Sequence, residues 1–387
     1  MVVPFWKGSI ESMENEKPRI LVLFVEPMLY IMDLIYQVYE QTPYIYQYVF
    51  CHSRLTGKDD LSLPAGTVIC HGKETARKEQ IKKIFDSFRP DMTIVNGYVG
   101  VEQTTLIRCC KKAGVPYAIE TDTPLHIPGN KLKAAAKKLY LKGILHNRLC
   151  YGFPGGTLQK ENLVYYGIPQ ERCFTMPMCV DNSRLLAEGE KLPDKETLKA
   201  QFGLAGKDVF LFVGRLEEVK NVPVLLRAFA TYKQSNPNGA LLIVGDGTKT
   251  EALKEMTAQL GLEDVVFAGY VVFPGLIAYY KMADVFVLPS GYEPWGLVVN
   301  EAQSFDLPVI VSSKVGCRED LVIPEKNGYI FEDDNEMQLL DAMEKAIALG
   351  KPEISMAQRW NHKKYYEQFV YAVESICKKR TQTSFMR

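Results

Sequence analysis

Short apolar runs alternate with longer amphipathic stretches along the whole chain. The first set of runs is Ile20–Val25, Tyr46–Cys51, Thr67–Cys70, Met92–Val95 and Tyr117–Ile119. The second is Val209–Val213, Ala240–Val244, Val265–Ala268, Val285–Leu288 and Val309–Val311. Most are β-branched and apolar at every position, not alternating. That pattern suits strands buried on both faces of a parallel sheet covered by helices. Strand and helix in alternation predict an α/β architecture.

The pattern restarts once. Asp181-Asn182-Ser183 and a charged helical stretch, Leu192–Gln201, separate the two series. This predicts an N-terminal domain over 1–182 and a C-terminal domain over 183–355. Two such units facing each other leave a cleft, and ligands bind beyond the carboxyl ends of the strands. Residues 356–379 follow as a helix with apolar positions 365, 366, 369, 372 and 376 at helical spacing, expected to pack on a core. The tail 380–387 is expected to be disordered.

Composition narrows the classes. Of 387 residues 47% are hydrophobic and 24% charged, and Lys plus Arg equals Asp plus Glu. The chain can build large cores, and nothing in its charge suggests nucleic-acid binding. Its nine cysteines include no C-x-x-C pair and no zinc spacing, so they are expected to be buried free thiols of a reducing compartment. The first nineteen residues read as an irregular lead-in, not a signal peptide, and no run reaches membrane-spanning length, which predicts a cytoplasmic protein.

Three segments carry candidate chemistry. Gly214-Arg-Leu-Glu-Glu-Val-Lys-Asn221 follows a strand and precedes a helix. Gly214 lets the backbone approach a ligand, and Arg215 and Lys220 put two cations at the same edge, an arrangement suited to a diphosphate. A solvated loop with two surface cations would read the same way. Val244-Gly245-Asp246-Gly247, one strand–helix unit later, permits a tight turn, although a plain connection does too. The sharpest segment is Glu293-Pro-Trp-Gly-Leu-Val-Val-Asn-Glu301. Glu293 precedes a helix expected over Leu297–Phe305, and Glu301 lies just over one turn inside it. Both carboxylates then face one ligand at a helix N-terminus, where they suit vicinal hydroxyls.

Ser290–Ala302 with Leu307–Ser312 resembles the E-x7-E signature of glycosyltransferase family 4. Gly214–Asn221 and Val244–Gly247 resemble that family's phosphate segment and glycine turn, in the same order and spacing. The resemblance covers about residues 160–335. It implies a GT-B fold: two Rossmann-like domains with parallel sheets facing across a cleft, and the final helix crossing back to the N-terminal domain. It implies a retaining transferase that takes a nucleoside-diphosphate sugar as donor and a saccharide or lipid-linked acceptor, for polysaccharide or glycoconjugate assembly. No metal and no further cofactor are expected. Arg215 and Lys220 would hold the diphosphate, with Gly214, Gly245 and Gly247 beside it. Backbone amides at Gly296, Leu297 and Val298 would add to that contact. Glu301 would take the ribose hydroxyls and Glu293 the transferred sugar. The base would lie near Gly269, Tyr270 and Val271. A nucleotide-sugar epimerase or a degenerate nucleotide-sugar-binding protein of the same fold are the alternatives.

The chain departs from the family in its first half. The first strand runs into Glu26-Pro27-Met28 instead of a Gly-Gly loop, and where members often carry a histidine it offers Thr121 and Asp122. Asp122 is the better catalytic candidate, and His126 lies four residues beyond it. A loop aspartate that turns the chain is the competing explanation.

No acid occurs between Asp122 and Glu161, a stretch that contains Lys131, Lys133, Lys137, Lys138 and Lys142. Leu132, Ala135, Ala136 and Leu139 share one helix face within it. Such a helix either lies on an anionic membrane with its lysines reaching head groups, or packs the stripe on the core.

Overall fold

The apolar runs become two six-stranded sheets of the same topology. The computed structural model describes residues 17–53 and 62–385, with side chains to Lys378. The first sheet contains β1 (Arg19–Phe24), β2 (Ile45–Phe50), β3 (Val68–Ile69), β4 (Met92–Asn96), β5 (Tyr117–Thr121) and β6 (Cys150–Pro154), in the order β3-β2-β1-β4-β5-β6. The second contains β7 (Asp208–Val213), β8 (Gly239–Val244), β9 (Val265–Gly269), β10 (Val285–Leu288), β11 (Val309–Ser312) and β12 (Gly328–Phe331), in the order β12-β11-β10-β7-β8-β9. Read from its other edge, the second order repeats the first. Every pairing in the second sheet is parallel.

The strand order reverses between β7 and β10. Sheets of this kind bind ligands in the crevice beyond the carboxyl ends at such a reversal, and here the loops leaving β7 and β10 are joined, Gly291 donating its N–H to the Val219 carbonyl at 2.8 Å. The loop after β7 is Gly214–Asn221 and the loop after β10 leads to Glu293, so both of the strongest sequence motifs meet at that crevice.

By contacts the chain divides into two units. One takes residues up to Glu120, Asn147–Tyr151 and Phe369 onward; the other takes Thr121–His146 and Gly152–Gln368. Within the first, Phe24 and Phe50 stack across β1 and β2, and Phe369 of the final helix sets its ring 4.7 Å from that of Tyr39. Within the second, β7, β8, β10 and β11 are buried along their apolar positions and form one core with Phe229, Tyr280 and Trp295. None of the nine cysteines is in a disulfide; Cys109 and Cys377 are partly exposed and the other seven are buried.

The final helix spans His362–Phe385, continuing through much of the tail expected to be disordered; residues 386–387 lie outside the described residues. So does most of the N-terminal lead-in, residues 1–16. Of its expected core positions, Tyr365, Phe369, Ala372 and Ile376 are buried. Among the described residues no helix is long and apolar enough to cross a membrane.

Candidate functional site

Three loops build the site at the β7/β10 crevice. The first two are locked together by their backbones. Leu216 donates its N–H to the Asp246 carbonyl at 3.0 Å, and Lys249 donates to the Leu216 carbonyl at 2.9 Å. Gly245 has φ +135°, and a Cβ there would lie 1.9 Å from the Gly214 carbonyl oxygen. A Cβ on Gly247 would lie 2.4 Å from the Leu216 carbonyl oxygen. The close approach these glycines permit is therefore between the two loops themselves, and ligand contact is not needed to explain them. Gly269, at the end of β9, continues the stack by accepting from the Gly245 N–H at 2.8 Å. Beyond it Tyr270 is half exposed and Val271 packs against the core.

The third loop is held by long-range bonds. Glu293 donates its N–H to the Lys314 carbonyl at 3.2 Å, and its own carbonyl accepts from Gly316 at 2.9 Å. Trp295, 1% exposed, donates Nε1 to Asn300 Oδ1 at 2.9 Å and stacks on Trp360. Gly296, at φ +100°, turns the chain into the helix Leu297–Ser304, whose N-terminus has no side-chain cap. The first N–H groups of a helix have no partner within it, so those at Leu297 and Val298 face an anion favourably.

Lys220 pairs directly with the Glu293 carboxylate, joining the loop after β7 to the loop after β10. Arg215, in the same loop as Lys220, is exposed. Glu301, one turn into the helix, accepts a 2.6 Å bond from the hydroxyl of buried Tyr280. Burial pushes the Glu301 carboxyl up to about 7, against the opposing pull of Tyr280 and the Arg184 cation. At neutral pH this carboxyl is poised between its two forms.

Asp122 belongs to the same neighbourhood. Burial raises its carboxyl above the ordinary range, backbone N–H groups and Thr123 oppose that, and the Glu293 charge raises it further. What holds its loop is Gln159, a residue no motif singled out. Gln159 is fully buried, and its Nε2 donates to the Asp122 carbonyl at 3.1 Å and to the Pro294 carbonyl at 2.9 Å. One amide group thus ties the loop after β5 to the glutamate loop. His126 is differently employed. It is exposed, and its carbonyl accepts from Lys137 Nζ at 2.9 Å and from the Tyr166 hydroxyl at 3.2 Å. Among the described residues no hydrogen bond or ion pair joins its ring to Asp122 or Glu293.

Comparison with known proteins follows the same lines. Residues 194–359 match the family described as Glycosyl transferases group 1. A glycosyltransferase of Methanocaldococcus jannaschii, itself uncharacterized, is 41% identical over 121 residues, which is 31% of this chain and 30% of that protein. The mannosylfructose-phosphate synthase of Agrobacterium fabrum is 33% identical over 156 residues, 38% and 34% of the two chains. Spore coat protein SA of Bacillus subtilis is 34% identical over 181 residues, 42% and 47%. The matched stretches thus span less than half the length of these relatives. Among solved structures, HepE of Anabaena in complex with UDP aligns over 92% of this chain and 100% of that one, with a TM-score of 0.72 at 17% identity. The lipopolysaccharide outer core galactosyltransferase WaaB aligns over 92% and 99%, with a TM-score of 0.70 at 18% identity. At those identities the structures speak for the fold. The C-terminal half of the chain is thus similar to the glycosyl transferases group 1 family, and the whole chain has a GT-B fold.

Proposed function

We propose that this chain transfers a sugar, with retention and without a metal ion, from a nucleoside-diphosphate sugar to a hydroxyl of a saccharide or lipid-linked acceptor in glycoconjugate or polysaccharide assembly. The observation that carries the reading is the Lys220–Glu293 pair at the β7/β10 crevice, with the Glu301–Tyr280 pair one turn behind it. A lysine already engaged by a carboxylate is a fixed cation at the place where a diphosphate would leave. Preorganised charge of that kind stabilises the departing group without reorganisation. Arg215 adds a fork of donors and the N-terminus of the helix Leu297–Ser304 adds amides, so the negative charge is met without an ion.

The two glutamates divide the hydroxyls. Glu301 accepts from the ribose diol, which favours its ionised form, and Glu293 accepts from the transferred sugar. Asp122, held beside Glu293 through Gln159, completes the sugar contact. The base lies against Gly269, Tyr270 and Val271.

The test is a thermal-shift screen against UDP, GDP, ADP and CMP and their sugar conjugates, with and without EDTA. Ligand at a hundred times its Kd stabilises the fold by about 2.7 kcal/mol. A shift with one series, unchanged by EDTA, followed by release of free sugar from that donor, is the expected result. A shift without any turnover, whatever the acceptor, would make the chain a nucleotide-sugar-binding module instead. No shift at all would remove the donor site. Loss of the shift in EDTA would remove metal independence.

A further inference from the structure

The helix Lys131–Leu145 turns its apolar stripe away from the protein. Asn130 caps it, accepting from the Lys133 N–H at 3.1 Å, and its alanines, leucines and lysines are strong helix formers. Only Leu141 and Leu145 are buried. Leu132, Leu139 and Tyr140 are 82%, 76% and 57% exposed, and Ala135 and Ala136 are exposed between them. At about 100° per residue, Leu141 lies about 180° round the helix from Leu132. The stripe of Leu132, Ala135, Ala136 and Leu139 is therefore centred on the face opposite the packed one, and it does not pack on the core.

Lysines border that stripe on both sides. The same spacing puts Lys131, Lys138 and Lys142 along one edge and Lys133 and Lys137 along the other. The inner cations are braced from below. Lys137 donates to the His126 carbonyl and lies 5.1 Å from the Tyr166 ring centre, and Lys138 lies 4.0 Å from that of Tyr165. No acidic residue occurs in the sequence from Thr123 to Lys160 to offset them.

We propose that this helix is a docking surface for an anionic lipid bilayer, lying in the interface with its leucines among the acyl chains and its lysines among the head groups. Charge selects this occupant. An outward apolar stripe alone would suit any greasy partner, but one edged on both sides by cations, in a segment that carries no acid, matches a surface that is apolar within and negative at its boundary. The proposal stands apart from the donor-site reading, because vesicle binding and nucleotide binding are measured independently. Where both hold, this face is how the enzyme meets a lipid-linked acceptor.

The experiment is flotation of the full chain with vesicles of pure phosphatidylcholine, and of phosphatidylcholine containing a third phosphatidylglycerol. Binding is expected to the anionic vesicles alone, and to weaken with added salt. Leu132→Ser with Leu139→Ser should reduce partition at least tenfold. Lys131→Gln with Lys142→Gln should reduce it roughly fivefold per lysine lost. All four side chains are exposed, so thermal stability should stay at the wild-type value. Leu139→Trp should shift its fluorescence to the blue on mixing with anionic vesicles only. Absence of binding, binding that ignores lipid charge, or variants that float like wild type would each overturn the proposal. So would a dimer that the two leucine changes abolish in a chain with no vesicle affinity, which would assign the face to a second copy.

Discussion

Donor binding should tighten as the pH rises from 6 to 8, and Glu301 is the reason. Burial lifts its carboxyl to about 7 in the unliganded protein. About a tenth of the molecules then carry the carboxylate at pH 6 and about nine tenths at pH 8. A ribose diol brings two donors, which only the carboxylate accepts fully, so binding selects the ionised form. If the protonated form does not bind, the affinity gain across that range is about tenfold, or about 1.4 kcal/mol. Calorimetric titration with an intact nucleotide sugar measures this. A free nucleoside diphosphate is unsuitable, because its terminal phosphate itself ionises near pH 6. Glu301→Gln should bind more weakly and show no such slope. Stability carries the opposite sign. The folded chain holds this proton more tightly than the unfolded chain does. The contribution to stability is therefore fully present below the ordinary carboxylate range, and it is lost as the pH rises through about 7. The unliganded glutamine variant should accordingly melt above wild type at pH 8. A wild-type affinity that is flat between pH 6 and 8, or an equal slope in Glu301→Gln, would refute the assignment of this carboxylate to the donor.

Other substitutions test the remaining parts. Arg215→Ala and Lys220→Ala should each weaken donor binding by about 2–5 kcal/mol if the contacts are buried in the complex, measured by the same titration; the lysine change also leaves Glu293 without its cation. Gly245→Ala would put a methyl 1.9 Å from the Gly214 carbonyl oxygen at φ +135°, so denaturant unfolding should show a loss of at least about 1–3 kcal/mol. Gly269→Ala, at φ +70° with open space around its Cβ, should cost only the backbone strain of about 1 kcal/mol. Gln159→Leu leaves two carbonyls without their shared donor and should destabilise by about 1–3 kcal/mol. It should also lower kcat more than it raises the donor KM, since Asp122 and Glu293 would lose their common tether while Arg215 and Glu301 keep theirs.

Much of this was legible in the chain. The ten apolar runs all became strands, because a strand covered on both faces leaves a continuous apolar signature. Two strands gave no such sign. Cys150–Pro154 carries a glycine and a proline inside five residues, and Gly328–Phe331 opens on a glycine and is buried only at its two ends. Both sit at sheet edges, where neighbours supply what local preference lacks. The placement of Arg215, Lys220, Glu293 and Glu301 after β7 and β10 was readable because each lies at a fixed offset from a strand end. That of Gln159 and Tyr280 was not: one bonds across 135 residues and the other across 21.

The helix Lys131–Leu145 marks the division most plainly. Periodicity alone establishes that Leu132, Ala135, Ala136 and Leu139 share a face and that lysines flank them, because the helical repeat is a property of the backbone. It is silent on which way that face points. Burial of Leu141 and Leu145 against the rest of the chain settles the rotation of the helix and turns the stripe outward. In the same way the sequence determined that two carboxylates and two cations stand at strand ends. Only the order of strands in the sheet, a matter of contacts between residues far apart in the chain, brought those ends to one crevice.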